Sequence, residues 1–184
     1  MAGADPHSHT HDHHHHEDDA PCAHARARLE SVDEAMAAAE SVCVERGVRL
    51  TPIRRAVLEA LYRSHAPMGA YELLERLNEQ ELDVQERQRR ARAPIAVYRA
   101  LDFLMEQGFA HKLASRNAFT ACPHGHAPHD LVAFLICEEC GGVDELSTRP
   151  LADAIGAMLS RERFSPRQQV LEITGTCGHC RGEG

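Results

Sequence analysis

Two short motifs near the C-terminal end constrain this chain more than any other feature. Cys137-Glu-Glu-Cys140 and Cys177-Gly-His-Cys180 are C-x-x-C knuckles with 36 residues between them. Two such pairs can supply four thiolates in a tetrahedron, the arrangement that holds a structural Zn²⁺ ion. Gly141, Gly142 and Gly178 permit the tight turns a knuckle needs. A thioredoxin-type redox site uses one pair, and two pairs at strand ends argue against it. A disulfide framework fits poorly too, because there are seven cysteines and the chain opens on His and acidic residues rather than an apolar leader. Around the knuckles, Leu131–Cys137, Gly142–Leu146 and Gln169–Thr174 read as strands. Leu151, Ile155, Met158 and Leu159 make one helical face. This is an α+β unit of about 55 residues, small enough to need a staple.

Upstream the apolar periodicity is helical. Leu29, Val32, Met36, Ala39 and Val42–Cys43 form a stripe up to Gly47. Thr51 is placed to cap a second helix with Pro52 at its first position and Ile53, Val57, Leu58 and Leu61 facing inward. A third helix carries Tyr71, Leu73, Leu74 and Leu77. A polar insert at 79–93 holds Arg87, Arg89, Arg90 and Arg92. Pro94 then opens a fourth helix with Val97, Leu101, Leu104 and Met105 on its core side. Two extended segments, Phe109–Ala114 and Ala118–Cys122, follow with a turn at Ser115-Arg116-Asn117. Helices followed by a hairpin give the outline of a winged helix-turn-helix. The expected division is a His-rich disordered tail over 1–25, a winged-helix domain over 26–122, a hinge loop over 123–130 and a metal-binding domain over 131–184.

Charge does not exclude DNA. The net charge is −8, but residues 1–21 carry five acidic and no basic residues, which leaves 23 acids against 20 bases and −3 for the remainder. A local basic stripe suffices for a groove. Arg99 lies two residues from Val97, about 200° round a helix, and so points away from the core. An arginine there can offer both N–H forks to guanine O6 and N7, the commonest specific major-groove contact. Arg54 and Arg55, and the arginines of the insert, are placed for phosphates. Seven of the 14 histidines fall within residues 7–16, interleaved with Ser, Thr and Asp, which suits loose chelation of divalent metal. No apolar run approaches the roughly 18 residues of a membrane span.

A second metal cluster is suggested by the hairpin. With a two-residue turn at Arg116-Asn117, His111 stands directly across from Cys122, and cross-strand Cβ atoms lie about 5 Å apart. His129 follows in a loop that can fold back, and Glu145 emerges from the neighbouring ribbon. N, S, N and O donors would then surround one ion, which suits tetrahedral Zn²⁺. His124 and His126 are further candidates. Cys43 reads as core, and Cys22 has no assigned part.

The stretches Arg49-Leu-Thr-Pro-Ile-Arg-Arg-Ala-Val-Leu, Gly69-Ala-Tyr-Glu-Leu-Leu, Val97-Tyr-Arg-Ala-Leu-Asp-Phe-Leu-Met-Glu-Gln-Gly-Phe-Ala-His and Phe134-Leu-Ile-Cys-Glu-Glu-Cys-Gly-Gly-Val-Asp-Glu-Leu, with the final Cys177-Gly-His-Cys180, resemble the ferric uptake regulator superfamily over about residues 30–180. The resemblance implies a homodimeric, zinc-responsive transcriptional repressor that binds a double-stranded DNA operator in the bacterial cytoplasm, at the nucleoid. It implies two Zn²⁺ per protomer: a structural ion on Cys137, Cys140, Cys177 and Cys180, and a regulatory ion on His111, Cys122, His129 and Glu145. It adds Tyr71 and Tyr98 beside Arg99 as DNA contacts. Cys122 looks like the zinc-sensing branch, since thiolate favours a softer metal than the iron- and peroxide-sensing relatives use. Where family members usually have Pro-Thr before Val-Tyr-Arg, this chain has Ile95-Ala96, and its arginine-rich insert is longer than usual.

The rival classes are weaker. H-E-x-x-H, P-loop, nucleophile-elbow and zinc-deaminase motifs are absent. Four protein ligands would also leave no open metal position for hydrolysis. The expectation is a protein with no enzymatic activity, no small organic substrate and no membrane association. An iron- or peroxide-sensing regulator, or a metal buffer, is the alternative.

Overall fold

The computed structural model describes residues 31–79, 93–122, 131–166 and 169–182. The elements run α1 (Val32–Glu45), α2 (Pro52–Tyr62), α3 (Ala70–Glu79), α4 (Pro94–Glu106), β1 (Ala110–Leu113), β2 (Ala118–Ala121), β3 (Val132–Cys137), β4 (Val143–Leu146), α5 (Arg149–Arg161) and β5 (Val170–Gly175). The fold is α+β, a winged helix-turn-helix followed by a mixed three-stranded sheet.

The helices begin and end where local chemistry says. Pro52 and Pro94 open α2 and α4, where a missing N–H costs nothing. Gly47 and Gly108 take left-handed φ values of 66° and 75° just past the ends of α1 and α4. Thr51 has the extended backbone of a cap, but its side chain makes no capping hydrogen bond, contrary to expectation. The inward stripes pack together: Val32, Met36, Ala39 and Cys43 of α1, Val57, Leu58 and Leu61 of α2, Leu73 and Leu77 of α3, and Val97, Leu101 and Leu104 of α4. The wing joins this core through Phe109 and Phe119, and Met68 bridges Phe119 with two backbone hydrogen bonds of 2.9 and 2.8 Å.

The hairpin register differs from the one expected. Four residues, Ala114–Asn117, connect the strands, and Asn117 adopts the left-handed conformation at φ 48°. His111 therefore pairs with Thr120 rather than Cys122, while Cys122 N–H donates to the Phe109 carbonyl at 2.9 Å. The slip is two residues, so His111 and Cys122 keep the same face as diagonal neighbours.

In the second sheet the order is β4-β3-β5. β4 is antiparallel and β5 parallel to the central β3. One face carries a small apolar cluster of Val132, Phe134, Ile136 and Val143, and Leu113 of the wing is its fifth member. On the other face Leu135, Leu146 and Ile173 are exposed, and α5 buries none of its residues in the single chain.

Candidate metal centres and nucleic-acid interface

The sheet topology brings the two knuckles together. β3 ends at Cys137, and its parallel neighbour β5 ends at Gly175, the register partner of Cys137. The turn after β3 therefore sits beside the chain leaving β5. Gly141 closes the first turn at φ 70°, with its N–H on the Cys137 carbonyl at 3.1 Å. Arg181 N–H closes the second on the Cys177 carbonyl at 3.0 Å. Backbone N–H groups of Cys177 and Cys180 point at the sulfurs of Cys137 and Cys177, each at 3.4 Å. Such donors favour thiolate, and amide hydrogen bonds from Cys140 and Cys177 hold Cys137 at about 6. Burial pushes Cys140 up to about 11. Cys180 is raised as well, first by its hydrogen bond to the Cys177 thiol. Ionisation is thus favoured at Cys137 and opposed at Cys140 and Cys180, a conflict that a divalent cation would resolve.

All four sulfurs lie within 4.8 Å of one another, and Cys137 and Cys180 sulfurs are 3.8 Å apart. Tetrahedral Zn–S bonds of about 2.3 Å place two sulfurs about 3.8 Å apart. The donor set and its spacing fit zinc.

The smaller cluster is His111, Cys122 and Glu145, again within 4.8 Å. Cys122 Sγ is 3.6 Å from Glu145 Oε1, and His111 Nε2 is 3.7 Å from Glu145 Oε2. The second distance is too long for a hydrogen bond. Tetrahedral zinc separates sulfur from oxygen by about 3.6 Å and nitrogen from oxygen by about 3.4 Å. His111 Nε2 and Glu145 Oε2 are both sealed from solvent. The Phe134 ring meets the imidazole edge-on at a centroid distance of 5.2 Å and so restrains its orientation. Tyr62 donates its hydroxyl to the Cys122 carbonyl at 3.0 Å, pinning the end of β2. The cluster spans the two parts of the fold, with His111 and Cys122 on the wing and Glu145 on β4. His129, His124 and His126 lie outside the described residues. So do Cys22 and the arginines at 87, 89, 90 and 92. Cys43 is buried in the helical core.

On α4, Arg99 is exposed and turned away from the core stripe. Tyr98 is 40% and Tyr71 66% exposed, and their rings meet edge to face at 6.4 Å. Tyr71 is thus a surface residue of α3 rather than a core one. Arg54 lies 3.6 Å above the Phe103 ring and donates to the Arg49 carbonyl at 2.7 Å. Arg55 pairs with Glu40. Both are held within the domain, a commitment that the sequence pattern did not signal. Tyr62 and Phe134 likewise carry no sequence signal as site residues, because their partners are 20 or more positions away.

Residues 45–174 match the model of the ferric uptake regulator family. The zinc uptake regulation protein of Escherichia coli strain K12 is 37% identical over 150 residues, covering 82% of this chain and 83% of that protein. A peroxide-responsive repressor of Staphylococcus epidermidis is 25% identical over 163 residues, covering 86% of this chain and 98% of that protein. Among solved structures, a zinc uptake regulator complexed with zinc and DNA superposes with a TM-score of 0.72 at 36% identity, over 83% of this chain and 96% of the other. The crystal structure of holo XcZur gives 0.70 at 42% identity, over 82% and 99%.

Proposed function

This chain belongs to the ferric uptake regulator family, and from that premise we propose that it is a zinc-responsive transcriptional repressor of zinc-uptake genes. It binds double-stranded operator DNA as a homodimer, with zinc as co-repressor. The matched relatives are transcription regulators, and no reaction is assigned to this chain.

The reading divides the chain into a His-rich tail over 1–25, a DNA-binding domain over 26–122, a hinge over 123–130 and a dimerisation domain over 131–184. It assigns two Zn²⁺ ions per protomer. Cys137, Cys140, Cys177 and Cys180 hold the structural one. His111, Cys122 and Glu145 hold the regulatory one, with His129 as the fourth donor. Zinc supplies a redox-inert tetrahedral cross-link at such sites. Arg99 reads base edges in the major groove, flanked by Tyr98 and Tyr71. Arg54 and Arg55 keep further N–H donors for phosphates beyond their contacts within the domain. The uncovered apolar face of Leu135, Leu146, Ile173 and α5 supports a second copy as its cover. No helix among the described residues is long and apolar enough to cross a membrane. The proposed place of action is on DNA in the bacterial cytoplasm.

The observation that carries the reading is the span of the smaller cluster. His111 and Cys122 belong to the wing and Glu145 to the sheet, so the three approach one another only when the two parts are docked. A swing from 1:99 to 99:1 in favour of that arrangement needs about 5.5 kcal/mol of preferential binding. By linkage, operator DNA then tightens regulatory zinc binding by the same factor that zinc tightens DNA binding.

The test is operator binding under buffered Zn²⁺, Fe²⁺ and Mn²⁺ with a chelator control, on native protein and His111→Ala. Native protein should bind only with zinc, and His111→Ala should keep one zinc per protomer and lose the response. Equal binding with chelator present, or a response to iron alone, would overturn the reading.

A further inference from the structure

Phe134, at the centre of β3, is flanked in register by Glu145 on β4 and Glu172 on β5. The three side chains form one row across the sheet, on the face that receives the wing. His111 meets Glu145 and the Phe134 ring at one end of this row. At the other end Glu172 grips the wing tip. Ala114 N–H donates to its Oε1 at 2.7 Å, Ser115 N–H donates to Oε2 at 3.2 Å, and the Ser115 hydroxyl donates to Oε2 as well. Between the two ends, Leu113 is fully buried among Val132, Phe134, Ile136 and Val143.

The dimensions agree with this path. Three extended residues from His111 to Ala114 span about 10 Å, and two interstrand spacings from β4 to β5 span about 9.6 Å. The wing strand β1 thus crosses the sheet from β4 over β3 to β5 and is pinned at both ends. One pin is the proposed regulatory site and the other is a carboxylate with both oxygens engaged.

We propose that Glu172 is a positioning residue for the regulatory site, a metal-independent clasp that holds β1 across the sheet so that His111 is presented to Glu145. This rests on the sensor reading given above. Zinc then closes a strand already fastened at its far end, instead of capturing a free wing. The clasp sets the free zinc concentration at which the protein binds DNA. It adds no ligand to either metal site.

The consequences are separable from a general loss of stability. Glu172→Gln keeps the size of the side chain but gives up one acceptor and the charge. Hydrogen bonds to a charged group contribute enough that the regulatory zinc affinity should fall about tenfold to a hundredfold. The four-cysteine site lies outside the clasp, so its zinc stoichiometry should not change. Operator affinity should return to the native value when free zinc is raised.

The experiment uses the full chain with the four-cysteine site loaded. Amide hydrogen exchange at Ala114 and Ser115 is followed without regulatory zinc, and regulatory zinc affinity and operator binding are titrated in zinc buffers, for native protein, Glu172→Gln and Ser115→Ala. The proposal expects both amides protected in the native protein and at least one of them less protected in Glu172→Gln, a shift of the zinc curve to higher concentration, and a smaller shift in Ser115→Ala. Unprotected amides in the native protein overturn the clasp. An unshifted zinc curve in Glu172→Gln also overturns the proposal but leaves the sensor reading standing. Absence of a second zinc equivalent in the native protein overturns both, and it is recognised because the native protein itself fails.

Discussion

Leu113→Ala tests whether the wing belongs energetically to the sheet on which it lies. Leu113 is in the winged-helix half by sequence, yet its side chain is fully buried among β3 and β4 residues. Truncating a buried leucine to alanine costs about 2–5 kcal/mol, through lost burial and the cavity left behind. All four partners are on the sheet, so that cost falls on the union of wing and sheet rather than on the helical core. A cost of about 3 kcal/mol is a factor of about 140 and would turn a 99:1 preference for the docked arrangement into about 40% docked. The assay is fluorescence anisotropy of a labelled operator against buffered zinc, with thermal unfolding of the same samples. The zinc curve should move to higher concentration by about 30-fold or more. The operator affinity at saturating zinc should change far less. If the midpoint of unfolding falls while the zinc curve stays in place, Leu113 is an ordinary core residue whose contacts survive in the undocked form, and the reasoning fails.

Three further outcomes are expected. Cys137→Ser should lose one zinc per protomer by elemental analysis and lower the unfolding temperature of the sheet, because metal binding there is folding free energy; an unchanged zinc count would remove the four-cysteine assignment. Arg99→Ala should lose about 1–3 kcal/mol of base discrimination in gel-shift competition, with nonspecific DNA affinity much less affected. The third concerns acid. Burial opposes ionisation of Glu172, but hydrogen bonds from the Ser115 hydroxyl and the Ala114 and Ser115 amides outweigh it, so its carboxyl is held below the usual range. A group lowered on folding contributes stability above its unfolded value, about 4.3 for glutamate. That stability is lost as pH falls through the folded value. Native protein should therefore lose more stability than Glu172→Gln below about pH 4, and parallel acid-unfolding curves would contradict the clasp.

Local chemistry explains why much of this was legible. Prolines at helix starts, glycines past helix ends and apolar stripes fix α1 to α4 because each acts within a few residues. The knuckles were legible because coordination demands particular side chains at a particular spacing. The register of β1 and β2 was not, because it depends on whether Asn117 takes a left-handed conformation and lengthens the turn to four residues. The cluster of His111 and Cys122 survived the error because a slip of two preserves the face. Glu172 lies 57 residues from Ser115, and nothing local marks it as a partner. Arg54 and Arg55 read from sequence as phosphate contacts alone, because their aromatic, carbonyl and carboxylate partners within the domain meet them only through packing.

The placement of the two clusters fits the proposed division into a structural and a regulatory site. A ligand that binds two arrangements of a protein equally shifts neither, however tightly it binds. Cys137, Cys140, Cys177 and Cys180 all lie on the turn after β3 and the chain after β5, so their mutual distances are set within one sheet. An ion there would stabilise the sheet with little preference between docked and undocked wing. Among the described residues, the loop between α2 and α3 also meets the turn after β3. A side chain at Gly142 would place its Cβ 2.6 Å from His65 Cε1 and 3.3 Å from Cys140 Sγ, so the loop between α2 and α3 rests directly on the knuckle. That contact and the shared sheet are two routes by which a structural ion there could be coupled to the DNA-binding helices. The His111, Cys122 and Glu145 set has the opposite property. Its wing-to-sheet distances are defined only by docking, and so its affinity for an ion would differ between the two arrangements. On the proposed assignment, tight binding in one place and differential binding in the other would follow from which elements carry the ligands, not from the identity of the metal.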